Sequence, residues 1–232
     1  MFPLKDTIRS HTVPIITWLL IAANGLVFLY ELRLPPIILE RLIYTFGVVP
    51  ANLEIYDPSS WYTLVTSQFL HGGWFHFLSN MWILFIFGDN VEDRMGSLRF
   101  FLFYILGGIA AGVIQSVFNH GSSIPAIGAS GAISAVLGAY FLFFPAARVI
   151  TLIPLWIIPW FVEIPALIFI GFWFISQLFS GLLSLATTSG MQMGGVAWWA
   201  HIGGFIFGIF CARLFVIRRP AAIWYPDEYN PW

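Results

Sequence analysis

Six apolar runs follow one another along this 232-residue chain with little between them, and each approaches the ~20 residues that an α-helix needs to cross a hydrocarbon core about 30 Å thick. A backbone in lipid must satisfy its own N–H and C=O groups, so runs of this kind fold as helices and the whole as an all-α membrane bundle. With 59% hydrophobic and 9% charged residues, no stretch is left for a separate soluble domain. Residues 1–232 therefore read as one integral membrane domain, with the lipid bilayer as its first partner. A formal net charge of -1 supplies no field for nucleic acid. The lone Cys211, inside an apolar run, excludes an intramolecular disulfide framework.

The predicted spans are 14–30, 73–88, 98–118, 130–144, 164–185 and 198–217. The first is longer than a signal-peptide core and no small-x-small cleavage site follows it, so it reads as a retained helix. Lys5, Arg9, Arg94, Arg99, Arg148, Arg213, Arg218 and Arg219 fall on the side of the termini, and only Arg33 and Arg41 on the other. That bias puts both termini in the cytoplasm. The segment from Glu31 to Leu70 is then external, with Ile37–Ile43 and Trp61–Leu70 expected as helices half-sunk in the outer leaflet. Val149–Phe161, interrupted by Pro154 and Pro159, reads as an interfacial cytoplasmic loop rather than a seventh crossing. With no long targeting extension in view, the expected location is a prokaryotic cytoplasmic membrane.

Ser130 stands in the run Gly128-Ala129-Ser130-Gly131 where the fourth span begins, and His201 stands at the head of the sixth. Counting back from Arg148 at ~1.5 Å per residue sets Ser130 roughly 25 Å away, about 5 Å below the outer surface, and counting back from Arg218 sets His201 at the same depth. His76 and Asn80, spaced i, i+4 on the second span, come out roughly 6 to 12 Å below that surface. Polar side chains at such depth need each other, a ligand or water. Gly204 and Gly208, on the face of His201, let two backbones approach closely, and Gly131, Ala135, Gly138 and Ala139 offer a matching face on the fourth span. Close packing there brings an alcohol within reach of an imidazole base. The Ser130 backbone N–H, at a helix N-terminus, together with His76 and Asn80, would form an oxyanion hole. No Asp or Glu occurs in the fourth or sixth span, so the expectation is a Ser-His dyad. Taken singly, a Gly-x-Ser-Gly run also serves as a helix-packing device, and a lone intramembrane histidine also serves in packing or proton relay.

Four motifs carry a resemblance: His76-x-x-x-Asn80 after Phe69-Leu70-His71-Gly72-Gly73-Trp74, Glu92-x-Arg94-x-Gly96, Gly128-x-Ser130-Gly131, and Ala200-His201-x-x-Gly204-x-x-x-Gly208. In this order the chain resembles the rhomboid family of intramembrane serine proteases over essentially its whole length. The resemblance implies Ser130 as nucleophile, His201 as general base, His76 and Asn80 as oxyanion donors, and a transmembrane helix of another membrane protein as substrate. It also implies that the fifth span and the loop from Ala186 to Ala197 act as gate and cap. Two positions depart from the family's common pattern: Trp61-Tyr62 stands where Trp-Arg is frequent, and Ser134 where some branches carry a tyrosine beneath the histidine.

Other functions fit less well. A His-Glu-x-x-His metalloprotease motif is absent, as are paired intramembrane aspartates, and Ala132 breaks a Gly-x-Ser-x-Gly elbow. Neither a metal nor an organic cofactor is expected. A transporter would also bury polar groups, yet no internal repeat is visible; a catalytically inactive relative that binds membrane helices is the other alternative. Among the remaining polar residues, His11, His71 and His120 read as solvated, Glu92 with Arg94 as a structural ion pair, Asn24, Gln115 and Gln177 as interhelical hydrogen bonders, and Cys211 as packing.

Overall fold

Apolar runs become helices, and the glycines and prolines between them become helix ends. The computed structural model describes residues 2–53, 58–155, 158–186 and 196–217. In chain order these form β1 (Phe2–Asp6), α1 (Ile15–Glu31), α2 (Pro36–Phe46), α3 (Thr63–Thr66), α4 (Trp74–Met95), α5 (Ser97–Phe118), α6 (Ser130–Phe143), β2 (Arg148–Leu155), β3 (Ile158–Pro165), α7 (Ala166–Ala186) and α8 (Trp198–Phe215). By length and composition α5, α7 and α8 can each cross a membrane, while α1 and α6 are shorter apolar helices. Charges at Asp89, Glu92, Asp93 and Arg94 occupy the last turns of α4.

α6 is the axis of the bundle: every residue from Gly131 to Tyr140 is buried, enclosed by α4, α5 and α8. At 14 residues it rises only about 20 Å. It ends at Phe143 because the chain turns through Phe144–Ala147 before Arg148, so the sequence count back from Arg148 overstates the helical rise. α7 is peripheral and leaves Ile168, Phe172, Ile175 and Phe179 exposed. Phe75, Phe210 and Leu214 are likewise more than three-quarters exposed, an outer surface suited to lipid rather than water. α2 has no buried residue and holds Ile37 79% exposed, in keeping with a surface helix.

Glu92 is not the ion-pair partner of Arg94. Its carboxylate accepts from the backbone N–H groups of Ile16 (3.0 Å) and Thr17 (2.8 Å), from the Thr17 hydroxyl (2.9 Å) and from the Ser97 hydroxyl (2.7 Å). The first turn of α1 follows Pro14 and has no side-chain cap of its own, so a carboxylate from α4 satisfies its orphan donors instead. Arg94 lies over the Phe144 ring, 5.4 Å from its centroid.

The all-α expectation holds for the bundle but not for its base. Arg148–Pro165 is not a loop: β2 and β3 form a hairpin, and β1 pairs with β2 in a three-stranded antiparallel sheet of order β1-β2-β3. Prolines bar this apolar segment from a regular helix, and strand pairing satisfies the backbone groups a helix would have satisfied. Trp82 anchors β1 by donating to the Pro3 carbonyl at 2.6 Å. Asp6 accepts from the Tyr140 hydroxyl and from Asn90 Nδ2 at 2.8 Å.

Burial raises the Asp6 carboxyl to about 7, in spite of the Tyr140 hydrogen bond that acts the other way. Because the fold favours the protonated form, its stabilising contribution is complete below the ordinary value of 3.8 and is lost as pH rises through about 7. Thermal unfolding in micelles should therefore show a midpoint that falls between pH 5 and pH 8, by clearly less in Asp6→Asn; equal slopes would dismiss the Asp6 contribution.

Candidate active site

The chain enters α6 through Gly128, whose φ of +122° is open chiefly to glycine. The Gly128 N–H donates to the Ser67 carbonyl at 2.8 Å, which fixes the turn. Ser130 follows as the first residue of α6, half-buried, with its N–H among the four that helix geometry leaves without an intrahelical acceptor. Gly128 is also a spatial requirement. A Cβ there would lie 2.6 Å from Cε1 and Nε2 of His76 and 3.7 Å from Nδ2 of Asn80. One turn apart on α4, both side chains thus close on the loop that delivers Ser130.

Their hydrogen-bonding states suit them to meet negative charge. The Gly72 N–H donates to His76 Nδ1 at 3.4 Å, which leaves the proton of a neutral imidazole on Nε2, the nitrogen beside Gly128. Asn80 Nδ2 is buried and has no hydrogen-bond acceptor among the described residues. An unspent donor of that kind carries a desolvation cost that a ligand oxygen would relieve.

α8 meets α6 along a seam where glycines lie against the facing backbone. A Cβ on Gly204 would stand 2.1 Å from the Gly131 carbonyl oxygen, one on Gly208 2.2 Å from that of Ala135, and one on Gly138 2.3 Å from that of Phe205. From Gly204 on Gly131 to Gly208 on Ala135 the contacts advance together along both helices, so α6 and α8 run parallel and begin at the same end. Ser130 precedes Gly131 directly, and His201 lies one turn before Gly204. α4 begins at that end too, so the three helices bearing Ser130, His201, His76 and Asn80 present them near their N-termini.

His201 is half-buried beside two indoles: Trp173 at 6.0 Å between ring centroids with planes 38° apart, and Trp198 at 6.3 Å with planes 90° apart. Its Nδ1 is 2.7 Å from Gln177 Oε1 on α7. The turn that carries it is fixed by Gln115, whose Oε1 accepts from the Ala200 N–H at 3.1 Å. A small cavity lined by Ser67, Gln68, Gln115, Gly128, Ser130 and Ala200 opens beside the Ser130 end of the seam.

Comparison with known sequences decides the family. Residues 58–218 of the 232 match the family model described as Rhomboid domain, well over half of the chain. The chain belongs to the rhomboid family. Among curated rhomboid relatives, RHOMBOID-like protein 1 of Arabidopsis thaliana is 28% identical over 185 residues, covering 80% of this chain and 42% of the relative. The human Presenilin-associated rhomboid-like protein, mitochondrial, is 29% identical over 199 residues, 82% of this chain and 45% of the relative. Rhomboid-like protein 11, chloroplastic, of Arabidopsis thaliana is 30% identical over 111 residues, 48% of this chain and 39% of the relative. The chain thus spans less than half the length of these relatives. Rhomboid membership and the apolar helices make it a membrane protein, whereas the organelle names of two of these relatives lend no support to a prokaryotic membrane.

The two departures from the common rhomboid pattern have structural answers. Tyr62, in place of an arginine, donates its hydroxyl to the Thr45 carbonyl at 2.8 Å, and the Thr66 hydroxyl reaches the Phe46 carbonyl at 2.7 Å. Neutral bonds to the end of α2 thus brace the segment between α1 and α4. Ser134 donates to the Ser130 carbonyl at 2.6 Å and sits 3.2 Å from where a Gly204 Cβ would be, leaving the indoles of Trp173 and Trp198 to flank His201.

Some expectations need correction. His71 is buried rather than solvated: its ring packs edge-on against Phe28 and Phe77, and its backbone N–H donates to the Glu31 carboxylate at 3.2 Å. Burial, with His76 adding to it, lowers its pKa to about 4, so it is neutral. Asn24 Nδ2 bonds the Leu20 carbonyl of its own helix at 2.8 Å, and the Asn24 side chain also meets the Tyr104 hydroxyl of α5, across helices as expected. Gln115 and Gln177 do bridge helices, as expected, but their partners at the head of α8 were not foreseen. His11 and His120 are exposed. Most of the expected cap loop, from Ala186 to Ala197, lies outside the described residues.

Proposed function

We propose that this rhomboid is an intramembrane serine endopeptidase that cuts a peptide bond in or near the transmembrane segment of a membrane protein. The seam carries the reading: Gly204 packs on the backbone of Gly131 at the shared end of α6 and α8, next to Ser130 and His201. In this mechanism the Ser130 hydroxyl attacks the scissile carbonyl carbon as its proton passes to His201 Nε2. The resulting oxyanion takes hydrogen bonds from His76 Nε2–H, Asn80 Nδ2 and the Ser130 N–H. His201 then protonates the departing amine, leaving an acyl-enzyme that water hydrolyses by the same relay.

We read six crossings in a single domain, made by α1, α4, α5, α6, α7 and α8. β1 precedes α1 and β2 follows α6, yet they are neighbours in one sheet, so the chain between them crosses an even number of times; α1, α4, α5 and α6 supply four. The basic residues assign the sheet side to the cytoplasm. The shared start of α4, α6 and α8 is then the outer half of the bilayer. The residues named need neither metal nor organic cofactor for this chemistry.

Purified protein in detergent is to be incubated with a single-span substrate and, separately, with a fluorophosphonate probe. Cleavage that survives chelation, together with labelling of Ser130, supports the protease. Binding of the substrate without cleavage or labelling assigns the chain to the helix-binding alternative. Within the protease reading, Asn80→Ala should lower kcat about 100-fold, the scale expected for one oxyanion donor, and change KM by less than about twofold. A rise in KM at constant kcat would show that Asn80 acts in ground-state binding instead.

A further inference from the structure

We infer that Gln177 of α7 is a positioning residue that holds His201 in the one tautomer able to act as a base. The inference rests on the protease reading above and adds a third member to the expected dyad. Gln177 is buried and makes three polar contacts: Nε2 to the Trp173 carbonyl at 3.3 Å, Nε2 to the Ser176 hydroxyl at 3.0 Å, and Oε1 to His201 Nδ1 at 2.7 Å.

The directions of these bonds follow from what each atom can do. The Trp173 carbonyl oxygen only accepts, so the amide group turned towards it is the NH2. Oε1 is therefore the group turned towards His201, and an amide oxygen also only accepts. His201 Nδ1 must then carry the hydrogen. A neutral imidazole has a single ring proton, so Nε2 keeps its lone pair, the state required to take the proton of Ser130. When that proton arrives, the Nδ1–H stays on Gln177 and the amide dipole meets the positive charge of the imidazolium. His76 is set the opposite way, with its proton on Nε2, so the two histidines offer the site one acceptor and one donor.

A neutral amide suits the location. A carboxylate in this role would bury a second charge in a membrane interior, at a desolvation cost an amide avoids. Trp173 and Trp198 restrict the tilt of the His201 ring, while Gln177 fixes which nitrogen bears hydrogen.

The test uses the full chain in micelles with its histidine rings labelled with nitrogen-15, the His201 signals being assigned by their loss in His201→Asn. Nitrogen shifts report which ring nitrogen is protonated, whether or not the protein cleaves anything. Wild type should show His201 as the Nδ1–H form, and Gln177→Leu should show an Nε2–H population. In single-span substrate cleavage, Gln177→Leu and the length-conserving Gln177→Met should lower kcat at least about tenfold with KM within about twofold, and Gln177→Glu, which keeps an oxygen acceptor at a desolvation cost, should retain more of kcat than either apolar variant. Wild-type His201 found as Nε2–H overturns the inference, as does an unchanged Nδ1–H form or unchanged kcat in both apolar variants. Should wild type neither cleave nor take the fluorophosphonate, the protease reading fails while the nitrogen spectrum still reports on the Gln177 bond.

Discussion

Alanine at Ser130 is expected to lower cleavage of a single-span substrate by at least about 10³-fold and to abolish fluorophosphonate labelling, with the thermal midpoint unchanged. The size of the effect follows from the chemistry. In the proposed mechanism no acyl-enzyme forms without the hydroxyl, and the proposed oxyanion donors and base are left to assist direct attack by water in a site not shaped for it. Stability should be spared because Ser130 is half-buried at the first position of a helix and its carbonyl bond to Ser134 does not involve its side chain. His201→Ala should cost a comparable factor, and the double variant little more than either alone, since nucleophile and base act as a unit. Additive losses would separate the two roles, and activity persisting in either single variant would dismiss the pair.

The second large effect is on the seam. Gly204→Ala and Gly208→Ala each force a methyl group to within 2.1 and 2.2 Å of backbone carbonyl oxygens. Neither neighbour can rotate away, because both belong to the backbone of buried α6. The helices must separate, at a cost of about 1–3 kcal/mol in stability by the usual scale of overpacking. A shift of about 1 Å between Ser130 and His201 is enough to lower turnover a further 100-fold. Gly171→Ala on α7 is the control: its added methyl would meet only the Phe141 ring at 3.9 Å. There the better helix propensity of alanine should leave stability equal or up to about 1 kcal/mol higher. Midpoints from thermal unfolding in micelles, read beside cleavage rates, check all three; a seam variant as stable and active as wild type would refute the close-packing argument.

What could be read from residues alone depended on how far a pattern reaches. Apolar runs fix helices locally, so a helix stands at each predicted run with ends within two residues, except that α4 runs on to Met95, seven residues past the predicted end at Gly88. The small-residue spacing of Gly204 and Gly208 with Gly131 and Ala135 identifies a helix pair because only close backbones need it. Partners chosen by helix rotation were not legible. Gln177 reads as a polar residue on an apolar helix, and nothing local says that it faces His201 rather than Gln115. Glu92 pairs on paper with Arg94 two residues away, but residues so spaced point to different sides of a helix, and the start of α1 needed the carboxylate. The sheet escaped notice because Phe2–Asp6 is too short to announce a strand, and Pro154 and Pro159 read as breaks when they stand opposite each other in a hairpin.

That hairpin gives α7 a pivot. β3 runs into Ala166 without an intervening residue, and the Ala166 N–H is tied to the Ala147 carbonyl at 2.8 Å. A rod pinned at its foot swings, it does not slide. Gln177 stands eleven residues above the pivot, a lever arm of about 16 Å, so a swing of only about 10° carries it about 3 Å, the length of its bond to His201. Any sideways swing of α7 of that size would therefore break the Gln177–His201 contact until the lever returned.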